Sequence, residues 1–180
     1  WSAGLNEPYS DKPDTKGCLY FSVEEMSAMA KRCVEHGFDL TIHAIGDAAV
    51  ETFLDSCLSV KDEIKARGFR PSVIHSQIMN ERIFEKYKEL DAIGLIQPMY
   101  IHSDMGIADD RVGDRMKTSY CYNTMRKMGI RLAAGSDLPI ESPNVMEAIQ
   151  VSTTRQNLSG WPEGGWYPET HGLVLETEAG

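Results

Sequence analysis

Histidine and aspartate recur in this sequence at one kind of place, the end of a short apolar run. Leu40-Thr-Ile-His-Ala-Ile-Gly-Asp47 carries His43, Ser72-Val-Ile-His-Ser-Gln77 carries His75, and Arg131-Leu-Ala-Ala-Gly-Ser-Asp137 closes on Asp137. A fourth run of the same make, Ala92-Ile-Gly-Leu-Ile-Gln-Pro98, delivers Gln97. Neutral imidazole nitrogen and carboxylate oxygen are ordinary ligands of zinc and similar divalent ions. Irregular spacing between them is what ligands drawn from separate strands would show. Core or capping roles would equally account for the same residues. Asp47 in particular, standing in front of an apolar helical stripe, reads better as a helix cap than as a ligand.

The elements that must position these groups alternate. Ser22-Val-Glu-Glu25 is a capping box, followed by an apolar face (Val23, Met26, Ala30, Cys33, Val34) that Gly37 closes. A strand over 38–44 leads to a helix capped by Asp47, with its stripe at Val50, Phe53, Leu54, Cys57 and Leu58, running to near Gly68. Residues 71–76 and 93–97 give two more strands around a helix capped by Asn80. Residues 98–113 read as a long polar loop holding His102 and Asp104, and such a loop inside a compact unit is more often functional than idle. A helix over about 114–128 and a strand over 130–134 follow. Ser142-Pro143 is a cap with proline at the first helical position, starting a helix to about Arg155. The expected organisation is a single unit: a loop over 1–20, βα units over 21–156 and a loop-rich tail over 157–180.

Strand–helix alternation with short apolar strands implies an α/β fold with parallel strands. An open doubly wound sheet would bind its ligand at a switch point, usually with a glycine-rich phosphate loop, and no such motif occurs. A (β/α)8 TIM barrel instead gathers catalytic groups at the C-terminal ends of its strands, where the polar residues here lie, but it typically needs ~250 residues. A partial barrel of about four βα units is the better fit.

With 42% hydrophobic residues, 180 residues can bury one sizeable core. Acidic residues outnumber basic ones, 27 against 18, which argues against a nucleic-acid or anionic-membrane surface. Cys18, Cys33, Cys57 and Cys121 lack metal-site or redox spacing and are expected as reduced thiols. No apolar run approaches the ~18 residues of a membrane span. The chain opens at Trp1 on a loop-like stretch and reads as a piece of a longer protein; the expected compartment is the cytoplasm.

Ile42-His-Ala-Ile-Gly-Asp47, Ile74-His-Ser-Gln77 and Ala134-Gly-Ser-Asp-Leu-Pro139, followed by Thr154-Arg-Gln156 and Gly165-Trp-Tyr-Pro-Glu169, resemble the amidohydrolase superfamily. The nearest branch is amidohydrolase family 3, which includes N-substituted formamide deformylase-like and D-aminoacylase-related enzymes. The resemblance implies a metal-dependent hydrolase of C–N bonds in small-molecule amides, with zinc as the metal and this chain as strands five to eight of the barrel. His43 and His75 would be metal ligands from strands five and six. Asp137, ending strand eight, would be a ligand and take a proton from the attacking water. That pattern also has a His-x-His pair on the first strand and a glutamate before the sixth-strand histidine. Here no His-x-His occurs, as expected of a chain beginning after strand four, and Ile74 precedes His75. A relative that has lost catalysis and serves binding or regulation is the alternative.

His102, Asp104, Gln97 and Arg155 are the candidates for substrate contact, with Trp166 at the pocket mouth. His36, at a helix C-terminus, reads as structural and His171 as inert. A half barrel has two raw sheet edges and one uncovered apolar face, so self-association is expected.

Overall fold

A computed structural model describes residues 1–173 of the chain. α1 (Val23–Glu35) begins at the expected capping box: Ser22 Oγ accepts from the Glu25 amide at 3.2 Å, and the Glu25 carboxylate accepts from the Ser22 amide at 2.9 Å. β1 (Thr41–Ala44), α2 (Asp47–Leu58) and α3 (Lys61–Arg67) follow, then β2 (Ser72–His75), α4 (Glu81–Leu90) and β3 (Ile93–Ile96). α5 (Met99–Asp104), α6 (Ala108–Val112), a 3-10 turn (Gly113–Thr118) and α7 (Tyr122–Lys127) lead to β4 (Arg131–Ala134). α8 (Val145–Thr154) and a short α9 (Pro168–His171) end the described residues. The last part of the expected tail, residues 174–180, lies outside them.

The strands form one parallel sheet in the order β1-β2-β3-β4. Residues paired in register share a face, and successive residues alternate. Ile42, Val73, Gly94 and Leu132 make one row, buried or half-buried beneath the helices. The next row, His43, Ile74, Leu95 and Ala133, is exposed or half-buried on the other face. The core therefore lies on the helical side, where Val50, Leu54, Cys57, Ile83, Tyr87 and Met125 are fully enclosed. Gly94 allows the strands to nest, since a Cβ there would stand 2.8 Å from Leu132 Cδ2.

Four expectations about local structure are corrected. The helix after Asp47 is two helices, because the chain turns at Ser59-Val60. Residues 98–113 are α5, α6 and their joins rather than an irregular loop; Met99, Ile101, Met105, Ala108 and Val112 are all buried. The stretch 114–128 is broken at Tyr120, which has φ 50° and whose amide donates to the Gln77 carbonyl at 2.7 Å. Finally, α8 starts two residues later than Ser142-Pro143 implies, because Asn144 Oδ1 takes the Met146 amide while Ser142 Oγ donates to Glu147.

Asp47 stands at the first helical position rather than at the cap, where its Oδ1 accepts from the Ala48 amide at 3.0 Å. Gly46 occupies the cap position, where a Cβ would collide with the Gly4 carbonyl oxygen. That close approach brings the N-terminal segment onto the end of β1. The Asp47 carboxylate then accepts from the Asn6 amide and from Asn6 Nδ2, both at 3.0 Å, and Asn6 Nδ2 also donates to Glu51 at 2.6 Å. Asp47→Ala strips the Asn6 donors of a buried acceptor, a loss of about 1–3 kcal/mol. The expected result is a lower urea midpoint together with faster proteolysis within residues 1–20; an unchanged midpoint would contradict the clamp.

All four cysteines are free thiols, as expected. Among the described residues no helix is long and apolar enough to cross a membrane.

Candidate active site

The first three chemistry-bearing residues come together at one end of the sheet. The His43 and His75 rings meet edge to face with centroids 4.5 Å apart. His75 Nε2 stands 3.9 Å from Asp137 Oδ2. Tyr100, which sequence reasoning passed over, completes the group: its hydroxyl donates to Asp137 Oδ2 at 2.8 Å, and its ring lies edge-on to His75 at 5.3 Å. Only the apolar run before Tyr100, which aims α5 at the same strand ends, could have signalled it.

Strict alternation would put His43 and His75 on opposite faces, since His75 pairs with Ala44. The chain leaves extended geometry at this point: His75 has φ 85° and Ser76 φ 51°. Such non-glycine conformations cost of order 1–3 kcal/mol each and persist where surrounding contacts over-determine them. Here Ser76 Oγ donates to the Val73 carbonyl and bonds the Tyr87 hydroxyl at 2.8 Å, and the Gln77 carbonyl is held by Tyr120. Asp137 also sits at positive φ, 61°.

Burial lowers the pKa of His75, helped by His43 and partly opposed by Asp137. The imidazole is thus kept neutral, the form whose nitrogen lone pair can ligate. His75 Nδ1 is buried without a hydrogen-bond partner among the described residues. Burial raises the pKa of the Tyr100 hydroxyl, and Asp137, Glu141 and Asp104 reinforce the rise, so it stays a donor. Two imidazoles and a carboxylate, with an orphaned ring nitrogen among them, are a donor set suited to a divalent cation. Among the described residues, however, no three His, Cys, Asp or Glu side chains stand close enough to enclose an ion on their own.

The other candidates divide. Asp104, on α5, accepts from Tyr120 OH at 2.8 Å and Gln77 Nε2 at 3.3 Å. His102, on the same helix, has a buried Nδ1 without a partner among the described residues. Gln97 is buried and donates back to the Leu95 carbonyl of its own strand at 3.0 Å. Arg155 does not reach a pocket mouth: it is 0% exposed, donating to the Trp166 carbonyl at 2.9 Å and the Tyr120 carbonyl at 3.1 Å. Its burial lowers its pKa to about 10. Its place is structural, tying the tail to the break at Tyr120. Trp166 is likewise buried, and its Nε1 donates to Asp109 at 2.7 Å. His36 is a helix C-cap with Nδ1 2.8 Å from the Arg32 carbonyl.

His171 is buried rather than idle, with Nε2 2.9 Å from the Met116 carbonyl. Burial lowers its pKa. The unfolded chain therefore takes up the proton first as pH falls, and the stability that neutral His171 contributes is lost below its ordinary pKa of about 6.5. Urea midpoints are expected to fall between pH 7.5 and 5.5, with a shallower fall in His171→Gln. An identical fall in that variant would contradict the assignment.

The comparisons with known proteins give the family. The family model described as "Amidohydrolase family" matches residues 1–177. YtcJ of Bacillus subtilis (strain 168) is 31% identical over 183 residues, covering 98% of this chain and 34% of that protein. Protein LONG AFTER FAR-RED 3 of Arabidopsis thaliana is 27% identical over 156 residues, 86% of this chain and 27% of its own length. The chain thus spans about a third of the length of the curated relatives it matches. Among solved structures, an uncharacterized metal-dependent hydrolase from Pyrococcus horikoshii OT3 superposes with a TM-score of 0.72 at 31% identity, over 86% of this chain and 30% of that one. One from Pyrococcus furiosus gives 0.70 at 30% identity, over 84% and 31%. On the match along nearly its whole length, the chain belongs to the amidohydrolase family.

Proposed function

We propose that this chain forms strands five to eight of a metal-dependent (β/α)8 amidohydrolase that hydrolyses a C–N bond in an amide or formamide-like substrate. The observation that carries it is the meeting of His43, His75 and Asp137 at the C-terminal end of one parallel sheet. His43 and His75 would hold the ion, most simply zinc, with Asp137 beside them; further ligands would come from outside these residues. A bound divalent ion supplies Lewis acidity to a carbonyl and to water. Asp137 then accepts a proton at Oδ1 or Oδ2 and passes it to the departing nitrogen. Tyr100 holds that carboxylate in place. Four free thiols suit a reducing, cytoplasmic setting.

Exposed apolar side chains support the half-barrel reading. Leu138, Ile140, Val145 and Met146, just after edge strand β4, are each 64–70% exposed, and Tyr20 and Phe38 are exposed before edge strand β1. Missing barrel units would cover such surfaces. Without them the isolated chain is expected to self-associate through its bare edges. A monodisperse monomer by light scattering at micromolar concentration would contradict this.

The test of function is turnover of N-substituted formamides and N-acyl amino acids by the whole metal-loaded protein. Chelator-sensitive hydrolysis there, and none by the isolated 180-residue chain with added zinc, is expected. Activity of the isolated chain would refute its being a half site. Saturable metal binding by the whole protein without turnover of any amide would favour the non-catalytic alternative.

A further inference from the structure

Next to the histidine–aspartate cluster lies a cavity of ≈300 Å³, and Tyr100, whose hydroxyl is on Asp137, is one of its walls. That volume is at the small end for a ligand pocket. The lining is largely apolar, with Trp1, Ile78, Ile107 and Tyr120 among its walls, and Asp104 is its one carboxylate. Arg111 also lines it, but this guanidinium lies over the Trp1 ring at 3.6 Å and pairs with Asp11 at 3.3 Å, which directs its charge to those groups.

Asp104 is held in a particular way. Tyr120 OH and Gln77 Nε2 both donate to Oδ2, and among the described residues Oδ1 accepts no hydrogen bond. The positive φ of Tyr120 and the hydrogen bond its amide donates to the Gln77 carbonyl fix the two donors against each other. One oxygen is thus spent on orientation and the other is left for a ligand. Glu141, bonded by Ser103 on the same helix, adds negative charge nearby. A largely apolar cleft with one oriented, half-free carboxylate selects for a donor or a cation, because a second anion would meet repulsion in a partly desolvated site.

We propose that this cavity is the subsite for the amine half of the substrate, an apolar or aromatic group bearing an N–H donor or ammonium nitrogen that Asp104 Oδ1 accepts. The proposal rests on the hydrolase reading above and deepens it: Asp137 protonates the departing nitrogen, and Asp104 then holds the amine so released as its cation. Asp104 is a specificity-determining contact, apart from the proton-handling Asp137.

Binding, not turnover, tests it. Dissociation constants of benzylammonium, benzyl alcohol and benzoate are measured for the whole protein by titration calorimetry or ligand-observed NMR. The expected result is benzylammonium bound at least about tenfold more tightly than benzyl alcohol, with benzoate weakest, tenfold being about 1.4 kcal/mol. Asp104→Asn should erase the preference. Ile107→Lys, at a wall position 50% exposed, should weaken benzylammonium about tenfold while sparing benzyl alcohol. Equal affinities for the three probes, tightest binding of benzoate, no saturable binding of any, or a preference untouched by both variants would overturn the subsite. Amide hydrolysis without ammonium preference would sink the subsite and leave the hydrolase standing; the preference without hydrolysis would do the reverse.

Discussion

Asparagine in place of Asp137 is expected to lower kcat of the metal-loaded protein by about 10²–10⁴-fold, the range spanned by positioned acid–base groups. The amide keeps the shape of the carboxylate and can still accept from Tyr100, whose hydroxyl is 2.8 Å from Oδ2. It cannot take a proton from water at neutral pH. The loss should therefore appear in kcat, with KM and the unfolding midpoint nearly unchanged. Tyr100→Phe removes only the orienting bond, and a smaller fall of about tenfold is expected, in line with a hydrogen bond to a charged group. If Asp137→Asn retained more than a tenth of the activity, Asp137 would not be the group that handles the proton.

The second large effect concerns the imidazoles. His43→Asn and His75→Asn are each expected to weaken metal binding by about 10²-fold or more, since even outer partners of a ligand are worth 10–100-fold. The two variants should differ in stability. His43 is exposed on a regular strand, so its replacement leaves the apoprotein unchanged. His75 is buried at φ 85°, a region that histidine and asparagine both tolerate, so the backbone cost is alike, but the smaller amide leaves a void where the ring packs. His75→Asn should therefore lower the unfolding midpoint of the apoprotein as well as losing the metal. Chelator competition and urea titration read the two effects separately. A His75→Asn protein that unfolds more readily yet binds metal normally would make the residue part of the core only.

Much of the architecture could be read from the chain because its strands end in the same way. The apolar runs before His43, His75 and Asp137 announced parallel strands, and capping residues such as Ser22 and Asn80 marked helix starts that the structure keeps. What the sequence hid had long-range causes. Asp47 looks like a cap until Asn6, 41 residues earlier, claims its carboxylate. Met99 and Ile101 fall out of step with Ala108 and Val112 because two short helices, α5 and α6, divide them. Tyr100 gave no local sign, since its role depends on Asp137, 37 residues later. Arg155 seemed suited to the surface because a buried guanidinium usually has a carboxylate partner, whereas here the partners are backbone carbonyls. Local pattern reports which residues stand at strand ends; only the folded chain reports which of them touch.

The most direct measurement is anomalous diffraction from crystals of the whole protein loaded with zinc. A single peak or close pair within ligand distance of His43 and His75, with the Asp137 carboxylate adjoining, is the expected result. A peak at other side chains, or none at saturating zinc, would contradict the claim that these strand ends build a metal centre.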